Sequence, residues 1–390
     1  MPEIITKIHI NPKSSKTDNY GMKRFIVITS IFIISFLFIN CASKPEVSDA
    51  TTENQENFIQ TTEGNEDVPE TFEDLIEEEI EESKALYTLR KPSGPKIQLK
   101  ESWGYVMQGR EDEFDKSMPL TDVCYFAADI NCYGELMNVP SRSNIKVGNN
   151  KRCHLVIACD SRAAVHQAIN PNFSTRNKIL KDIVKAASNY DGVQLDLEYI
   201  PLRDKKHFIT FIGDLRFMLK GKFLSVCVPA RFKQLSDDMY PYSEIALYCD
   251  RVFVMAYDEH WSTSRPGAIA NIDWCKRIAE YAVKAIPERK LIMGIPFYGR
   301  TWAGNSTSGA WYFSGINRIL TENQVEQVTY IDDVPSVNYK VEVDITGYFN
   351  DASYLVKLCQ AYNEMGIKKI GYWRIGQEDP EFWNWVDLTR

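Results

Sequence analysis

Residues 191–198 read Asp-Gly-Val-Gln-Leu-Asp-Leu-Glu, and the interpretation of the whole chain starts from this stretch. Successive side chains of a β-strand point to opposite faces. One face therefore carries the polar side chains of Gln194, Asp196 and Glu198, whereas the other carries only valine and leucine. Carboxylates are costly to bury, and they persist inside proteins mainly where they do chemistry. The pattern predicts a strand that carries a catalytic site; the alternative is a polar edge strand with one face in water.

The segments around this strand predict an α/β fold, a (β/α)8 TIM barrel, over residues 96–390. About 290 residues are near the typical length of this fold. Short apolar strand candidates recur at Trp103–Met107, Val123–Ala128, His154–Ala158, Gly192–Glu198, Leu224–Pro229, Arg251–Tyr257, Leu291–Tyr298 and Lys369–Ile375. Amphipathic helical patterns lie between several of them, at Lys178–Ala187, Lys205–Leu219, Asp273–Ala285 and Ala352–Met365. This alternation favours a parallel barrel, with an open doubly wound sheet as the alternative.

Four motifs, in the same order along the chain, resemble those of glycoside hydrolase family 18, the chitinase family. Residues 191–198 resemble the signature Asp-Gly-x-Asp-x-Asp-x-Glu of the fourth strand, and Met-Ala-Tyr-Asp at 255–258 is similar to Met-x-Tyr-Asp of the sixth. Gly-Ile-Pro-Phe-Tyr-Gly-Arg at 294–300 resembles the seventh-strand motif, and residues 371–379, with Gly-Tyr-Trp, resemble the closing strand. The resemblance covers most of residues 100–390 and is nearest to the chitobiase-like and spore-germination-hydrolase branches.

The spacing of the two carboxylates also constrains the mechanism. Glycoside hydrolysis usually needs an acid and a second carboxylate that acts as nucleophile or base. Asp196 lies two residues from Glu198, so their Cα atoms are only ~6.6 Å apart and both approach a sugar from the same side. Asp196 is therefore poorly placed to attack from the opposite face. The family resemblance implies a substrate-assisted route, in which the 2-acetamido group of the substrate is the nucleophile and the anomeric configuration is retained.

The resemblance implies a role for each residue of the predicted catalytic group. Glu198 would be the general acid and base, and Asp196 would bind the acetamido N–H and stabilise the developing cation. Tyr257 would orient the acetamido oxygen, and Asp258 would bind a sugar hydroxyl. Trp373 would form an apolar floor beneath the sugar. The competing interpretations are an ion pair of the carboxylates with a barrel arginine and simple core packing of the aromatic rings.

Three further residues are candidates for substrate binding, namely Gln194, Tyr298 and Arg300. For Phe297, Tyr298 and Arg300 an equally good interpretation is core packing of the aromatic rings together with an ion pair of the arginine. Gln194 stands where the family most often has aspartate. An amide can donate a hydrogen bond to Asp196 but cannot share a proton with it, so we expect an altered pH profile. Asp191, which precedes the strand, is interpreted as structural.

The first 41 residues predict export. The apolar stretch from Phe25 to Ile39 follows Lys23 and Arg24, and it is too short for a membrane span of ~20 residues but typical of a signal peptide. Translation could start at Met22. The stretch ends near Cys41, which resembles the lipidated cysteine of bacterial lipoproteins, although Asn40 departs from that pattern. We expect an exported protein of the bacterial cell envelope, anchored to the membrane through Cys41; an ordinary signal peptide is the alternative.

Residues 42–95 are predicted to be a disordered acidic linker. Between Lys44 and Lys84 there are 15 acidic residues and only those two lysines, a net charge of −13. Such a segment cannot bury enough apolar surface to fold by itself. The whole chain carries −8, so the remainder is only weakly basic and has no electrostatic signature of nucleic-acid binding.

The predicted function is hydrolysis of β-linked N-acetylglucosamine in chitin oligomers or peptidoglycan, as the family resemblance implies. No metal or cofactor is expected, and the eight cysteines after Cys41 show no metal or redox spacing. Cys124 and Cys227 lie in apolar runs and are expected to pack as small hydrophobic residues. Two alternatives remain, a non-catalytic carbohydrate-binding lipoprotein and a structural envelope protein. The short connection between Arg300 and the last helix leaves little room for the extra domain of many chitinases.

Overall fold

A computed structural model describes residues 86–303, 308–340 and 344–389. The predicted signal peptide, Cys41 and most of the predicted acidic linker lie outside these ranges. Residues 86–95 fall within the predicted linker, and there the Tyr87 hydroxyl donates to Asn317 Oδ1 over 3.0 Å. None of the helices in the described ranges is both long and apolar enough to cross a bilayer. In the same ranges all eight cysteines are free thiols.

Eight parallel strands form a closed barrel, as predicted from the sequence. They are β1 (Glu101–Met107), β2 (Asp122–Ile130), β3 (Arg152–Cys159), β4 (Gly192–Leu197), β5 (Phe223–Pro229), β6 (Arg251–Met255), β7 (Leu291–Pro296) and β8 (Lys369–Trp373). Each strand pairs with the next in parallel, and β1 closes the barrel by pairing with both β8 and β2. The open-sheet alternative is thereby excluded.

Helices pack around the barrel wherever the sequence shows amphipathic periodicity. The helices are α1 (Arg162–Ile169), α2 (Thr175–Ala186), α3 (Lys205–Met218), α4 (Tyr242–Tyr248), α5 (Ile272–Ala285), α6 (Phe313–Glu322) and α7 (Ala352–Glu364). The four predicted helices correspond to α2, α3, α5 and α7. The sequence did not predict α1, α4 and α6, which have ten residues or fewer. So few residues give little periodic signal.

An extra layer follows β7, where the sequence was expected to leave little room. Five antiparallel strands form a second sheet with α6, and we call this unit the insertion sheet. Its strands are Gly299–Ala303, Ser308–Trp311, Thr329–Ile331, Val334–Lys340 and Asp344–Tyr348. A small core of its own, built around Phe313, Ile316, Val337 and Phe349, holds the layer together. The expectation of little room was therefore wrong.

The barrel interior is filled by large side chains from alternate strand positions. Phe253 of β6 occupies the centre, and two glycines make space for it. A Cβ atom on Gly371 would lie 2.1 Å from the Phe253 ring, and one on Gly294 would lie 2.7 Å from it. The close approach explains why glycine opens both the 294–300 and the 371–379 motifs, since only a residue without a side chain fits there.

The amino-terminal end of the barrel contains arginines that could have formed ion pairs with the carboxylates of β4, but they pair with other acids there. Glu101 accepts hydrogen bonds from Arg251, and Asp122 accepts from Arg152 Nε over 2.6 Å. His154 Nε2 lies 2.8 Å from the same Asp122 carboxylate. Buried charges of this kind need close partners. These pairs lie at the end of the barrel opposite to the carboxyl end of β4.

Candidate active site

Asp196 and Glu198 lie at the carboxyl end of β4. The strand ends at Leu197, so Glu198 is the first residue beyond it, and its backbone N–H donates to the Cys159 carbonyl of β3 over 2.8 Å. Asp196 lies two residues earlier on the same face of β4, in register with Ala158 of β3. Both side chains are half-buried. This edge is where parallel barrels place their chemistry.

Neither carboxylate forms an ion pair among the residues that the structure describes. Burial, and then the negative charge of Glu198, raise the pKa of Asp196 to about 7. Burial also raises the pKa of Glu198, and the charges of Asp160 and Asp258 raise it further. The interpretation of a structural pair with arginine is therefore wrong within the described ranges. A protonated acid beside a second titrating carboxyl group is the arrangement that general acid catalysis needs.

Cys227 and Tyr257 complete the surroundings of Asp196. Cys227 of β5 lowers the pKa of Asp196 against the larger effect of burial, and its Sγ lies 3.5 Å from the Tyr105 hydroxyl. Cys227 and Cys124 are both buried in the apolar cluster of the barrel interior, which confirms their interpretation as small packing residues. Tyr257 packs against the same interior cluster as Cys227. Burial, followed by the neighbouring Cys227 and Asp196, raises the pKa of the Tyr257 phenol well above its usual value, so this group remains a hydrogen-bond donor.

Asp258 is held in place by two residues of the 294–300 motif. The Tyr298 hydroxyl donates to Asp258 Oδ1 over 2.6 Å, and Arg300 Nη2 lies 3.6 Å from the same oxygen. Asp258 also has a positive φ of 59°, a strained conformation for a residue other than glycine. Tyr298 is only 5% exposed. This placement favours the ion-pair interpretation of Tyr298 and Arg300 over direct substrate binding.

Trp373, the last residue of β8, lies across the mouth of the barrel. Its ring meets Phe126 edge-on with centroids 4.9 Å apart and Tyr105 with centroids 5.2 Å apart. It also packs against the cluster that contains Tyr298. Its half-buried ring is supported from below by other aromatic residues. A supported indole at the barrel mouth suits a flat apolar floor for a sugar.

Gln194 does not line the site. It is fully buried at 0% exposure, one pleat below Asp196 and in register with Val156 and Ser225. Among the residues that the structure describes, neither its amide nitrogen nor its amide oxygen has a hydrogen-bond partner, so the expected donation to Asp196 is not present there. The prediction that Gln194 binds substrate directly is wrong, because the barrel interior encloses this position completely.

Asp191 and Asp160 occupy the two ends of the same strand pair. Asp191 accepts a hydrogen bond from the Cys153 backbone N–H over 2.7 Å, which confirms its structural role. Asp160 follows the last residue of β3 and raises the pKa of Glu198. The sequence analysis did not identify it, nor did it identify Tyr105 or Phe126. Alternation along β1 and β2 could have placed both aromatic residues inside the barrel.

A family profile matches the part of the chain that contains this site. The profile of the family described as "Glycosyl hydrolases family 18" matches residues 145–378, more than half of the chain. The matched region contains the carboxyl ends of β3 to β8 and therefore every residue of the site described above except Tyr105 and Phe126.

Similar proteins include two from Bacillus subtilis (strain 168). The "Uncharacterized glycosylase YvbX" is 27% identical over 215 residues, which are 50% of this chain and 60% of that protein. The "Cortical fragment-lytic enzyme" is 22% identical over 236 residues, which are 55% of this chain and 53% of that protein. The chain thus spans little more than half the length of these curated relatives.

Solved structures support the fold. The spore cortex-lytic enzyme SleL of Bacillus cereus superimposes with a TM-score of 0.67 at 23% identity, covering 77% of each chain. A class V chitinase of Pseudomonas fluorescens Pf-5 superimposes with a TM-score of 0.65 at 18% identity, covering 73% of this chain and 98% of the other. At such identities the likeness establishes the barrel architecture.

Proposed function

The chain belongs to glycosyl hydrolase family 18, and from this membership and the geometry of the site we propose that it hydrolyses β-linked N-acetylglucosamine glycosides. The observation that carries the proposal is that Glu198 and Asp196 are partly buried carboxyl groups without a cationic partner in the part of the chain that the structure describes. Both lie at the catalytic edge of the barrel with raised pKa values, and no arginine among the described residues neutralises them. A purely structural carboxylate at this depth would need such a partner.

Glu198 supplies the proton in the first step. It protonates the glycosidic oxygen while the acetamido carbonyl oxygen of the same sugar attacks the anomeric carbon, so the leaving group departs as an alcohol. Glu198, now a carboxylate, then removes a proton from the water that opens the cyclic intermediate. Two attacks at the same carbon retain the configuration.

Asp196 and Tyr257 act on the acetamido group. Asp196 accepts a hydrogen bond from its N–H and stabilises the positive charge that develops on ring closure. The phenol of Tyr257 donates to the acetamido oxygen and turns it toward the anomeric carbon. Asp258, held by Tyr298, binds a sugar hydroxyl, and Trp373 supports the apolar face of the ring.

The test compares the wild type with Glu198→Gln on N-acetylglucosamine oligomers and on purified peptidoglycan, with products identified by mass spectrometry. Loss of the general acid should reduce turnover by about 10²- to 10⁴-fold. The control is Glu135→Gln, which removes an exposed carboxylate at the same end of the barrel and should leave turnover unchanged. Equal product from Glu198→Gln and the wild type would refute the assignment. Binding of oligomers by the wild type without turnover would instead indicate a lectin.

A further inference from the structure

Asp160 follows the last residue of β3, the strand that pairs with β4, and lies near the proposed acid at the same edge of the barrel. In the pairing of β3 with β4, Ala158 faces Asp196 and Cys159 faces Leu197. The Glu198 N–H donates to the Cys159 carbonyl over 2.8 Å, and Asp160 follows Cys159 directly, so the two acids lie at neighbouring strand ends of the barrel rim.

Asp160 is not engaged by any side chain of the described residues. It is exposed and forms no hydrogen bond or ion pair with any residue of the described ranges. Helix α1 begins two residues later, but its cap is Ser161, whose side chain accepts from the Ala164 N–H over 3.4 Å. The partial positive charge of that helix end favours a carboxylate nearby. No side-chain cation of the described residues neutralises the Asp160 carboxylate, so its negative charge can act on Glu198.

Charged and titratable groups face Glu198 from several elements, and Asp160 differs from all of them. Asp196 lies below it on β4, Cys227 and Tyr240 lie on the side of β5, and Asp258 lies beyond β6. The charge of Asp258 is partly offset by Arg300, 3.6 Å away. Among the described residues, Asp160 is the rim carboxylate near Glu198 without an offsetting cation.

We propose that Asp160 is a positioning residue that acts through Glu198, because its negative charge keeps the acid protonated in the pH range in which the glycosidic oxygen must receive a proton. The inference rests on the proposed function of Glu198. The negative charge near Glu198 then comes from the residue after β3. The 191–198 motif does not supply it, since Gln194 is uncharged. Burial raises the pKa of Glu198 more than any single charge does, so Asp160 moves the titration of the acid further in the same direction and does not create it.

The experiment measures the pH dependence of kcat/KM for the wild type and for Asp160→Asn on an N-acetylglucosamine oligomer. Removal of the Asp160 negative charge should move the alkaline limb of the profile to lower pH by roughly 0.5 to 1 pH unit. High salt should move the wild-type limb in the same direction, because it screens the exposed Asp160 charge. Asp160→Glu, which keeps the charge, should restore the limb. The control is Asp129→Asn, one strand further away, where the amide of Asn138 binds the carboxylate; it should leave the limb in place.

A second readout does not depend on turnover. The ¹³C NMR titration of the Glu198 carboxyl group should shift downward in Asp160→Asn by the same amount as the alkaline limb. Superimposable titrations of the two proteins would overturn the inference and leave the proposed function intact. Loss of activity at every pH with an unmoved limb would also overturn it, since it would mean that Asp160 contacts the substrate. Full activity of Glu198→Gln would instead refute the proposed function.

Discussion

The replacement Asp196→Asn should make the folded protein more stable at alkaline pH while it removes activity. The ordinary pKa of an aspartate is 3.8, and burial beside Glu198 raises that of Asp196 to about 7. Each pKa unit corresponds to ~1.4 kcal/mol, so ionisation of Asp196 costs the folded state at most about 4 kcal/mol. The side chain is only half-buried, so we expect about half of this, ~2 kcal/mol. Asparagine keeps the shape of the side chain and carries no charge.

The sign of the effect follows from the direction of the pKa change. A carboxyl group whose pKa is raised on folding gives its full stability below the unfolded pKa near 4, and that contribution is lost as the pH rises through about 7. Wild type and Asp196→Asn should therefore unfold alike at pH 4. At pH 8 the variant should be more stable by ~2 kcal/mol, which is roughly 4–8 °C in Tm.

The assay is thermal and urea unfolding of both proteins across pH 4–8, at fixed salt. Asp182→Asn, an exposed change on α2 where the carboxylate pairs with Lys178, serves as control and should shift stability by less than ~0.5 kcal/mol at every pH. A variant that is less stable than the wild type at pH 8, or a difference that does not change with pH, would show that Asp196 is not held in an unfavourable charged state.

Two further predictions concern the aromatic floor and the barrel centre. Trp373→Ala should lower kcat/KM by roughly 10- to 100-fold, because it removes ~1.5–3 kcal/mol of apolar contact with the sugar. Steady-state kinetics measure this change, and an unchanged kcat/KM would show that the ring does not support the sugar. Gly371→Ala should destabilise the fold by ~1–3 kcal/mol in urea unfolding, because the new Cβ would lie 2.1 Å from the Phe253 ring. Phe253→Leu in the same chain should recover part of that loss, and strictly additive effects would contradict the contact.

The barrel could be predicted because its strands carry a strong local signal. The eight strands have five to nine residues and are mainly apolar, and the helices α2, α3, α5 and α7 repeat apolar residues at helical spacing. Residues at the carboxyl ends of such strands must lie at one edge of the barrel. The closeness of Glu198, Asp258 and Trp373 follows from this rule alone, although they are far apart in the chain.

The insertion sheet could not be predicted in the same way. Two of its strands, Ser308–Trp311 and Thr329–Ile331, have only four and three residues. Its central pairing joins Arg300 to Tyr348 across almost fifty intervening residues. A strand that is short and finds its partner far along the chain leaves no periodic trace in the sequence.

The errors at the site have a common physical origin. The alternation of side chains along a strand predicts which face of the sheet a side chain occupies. It does not predict how deep in the barrel the side chain lies or which residue of the next strand is beside it. Gln194, Asp196 and Glu198 share one face, as the pattern requires, yet closure of the barrel buries Gln194 completely and leaves Glu198 at the rim. Depth is fixed by the large side chains that fill the interior, Phe253 above all. The neighbour is fixed by the register between strands, and the pairing of β3 with β4 brings the chain segment that contains Asp160 to the end of β4. The motif at 191–198 therefore specifies the acid, whereas its electrostatic surroundings depend on a strand that carries no motif.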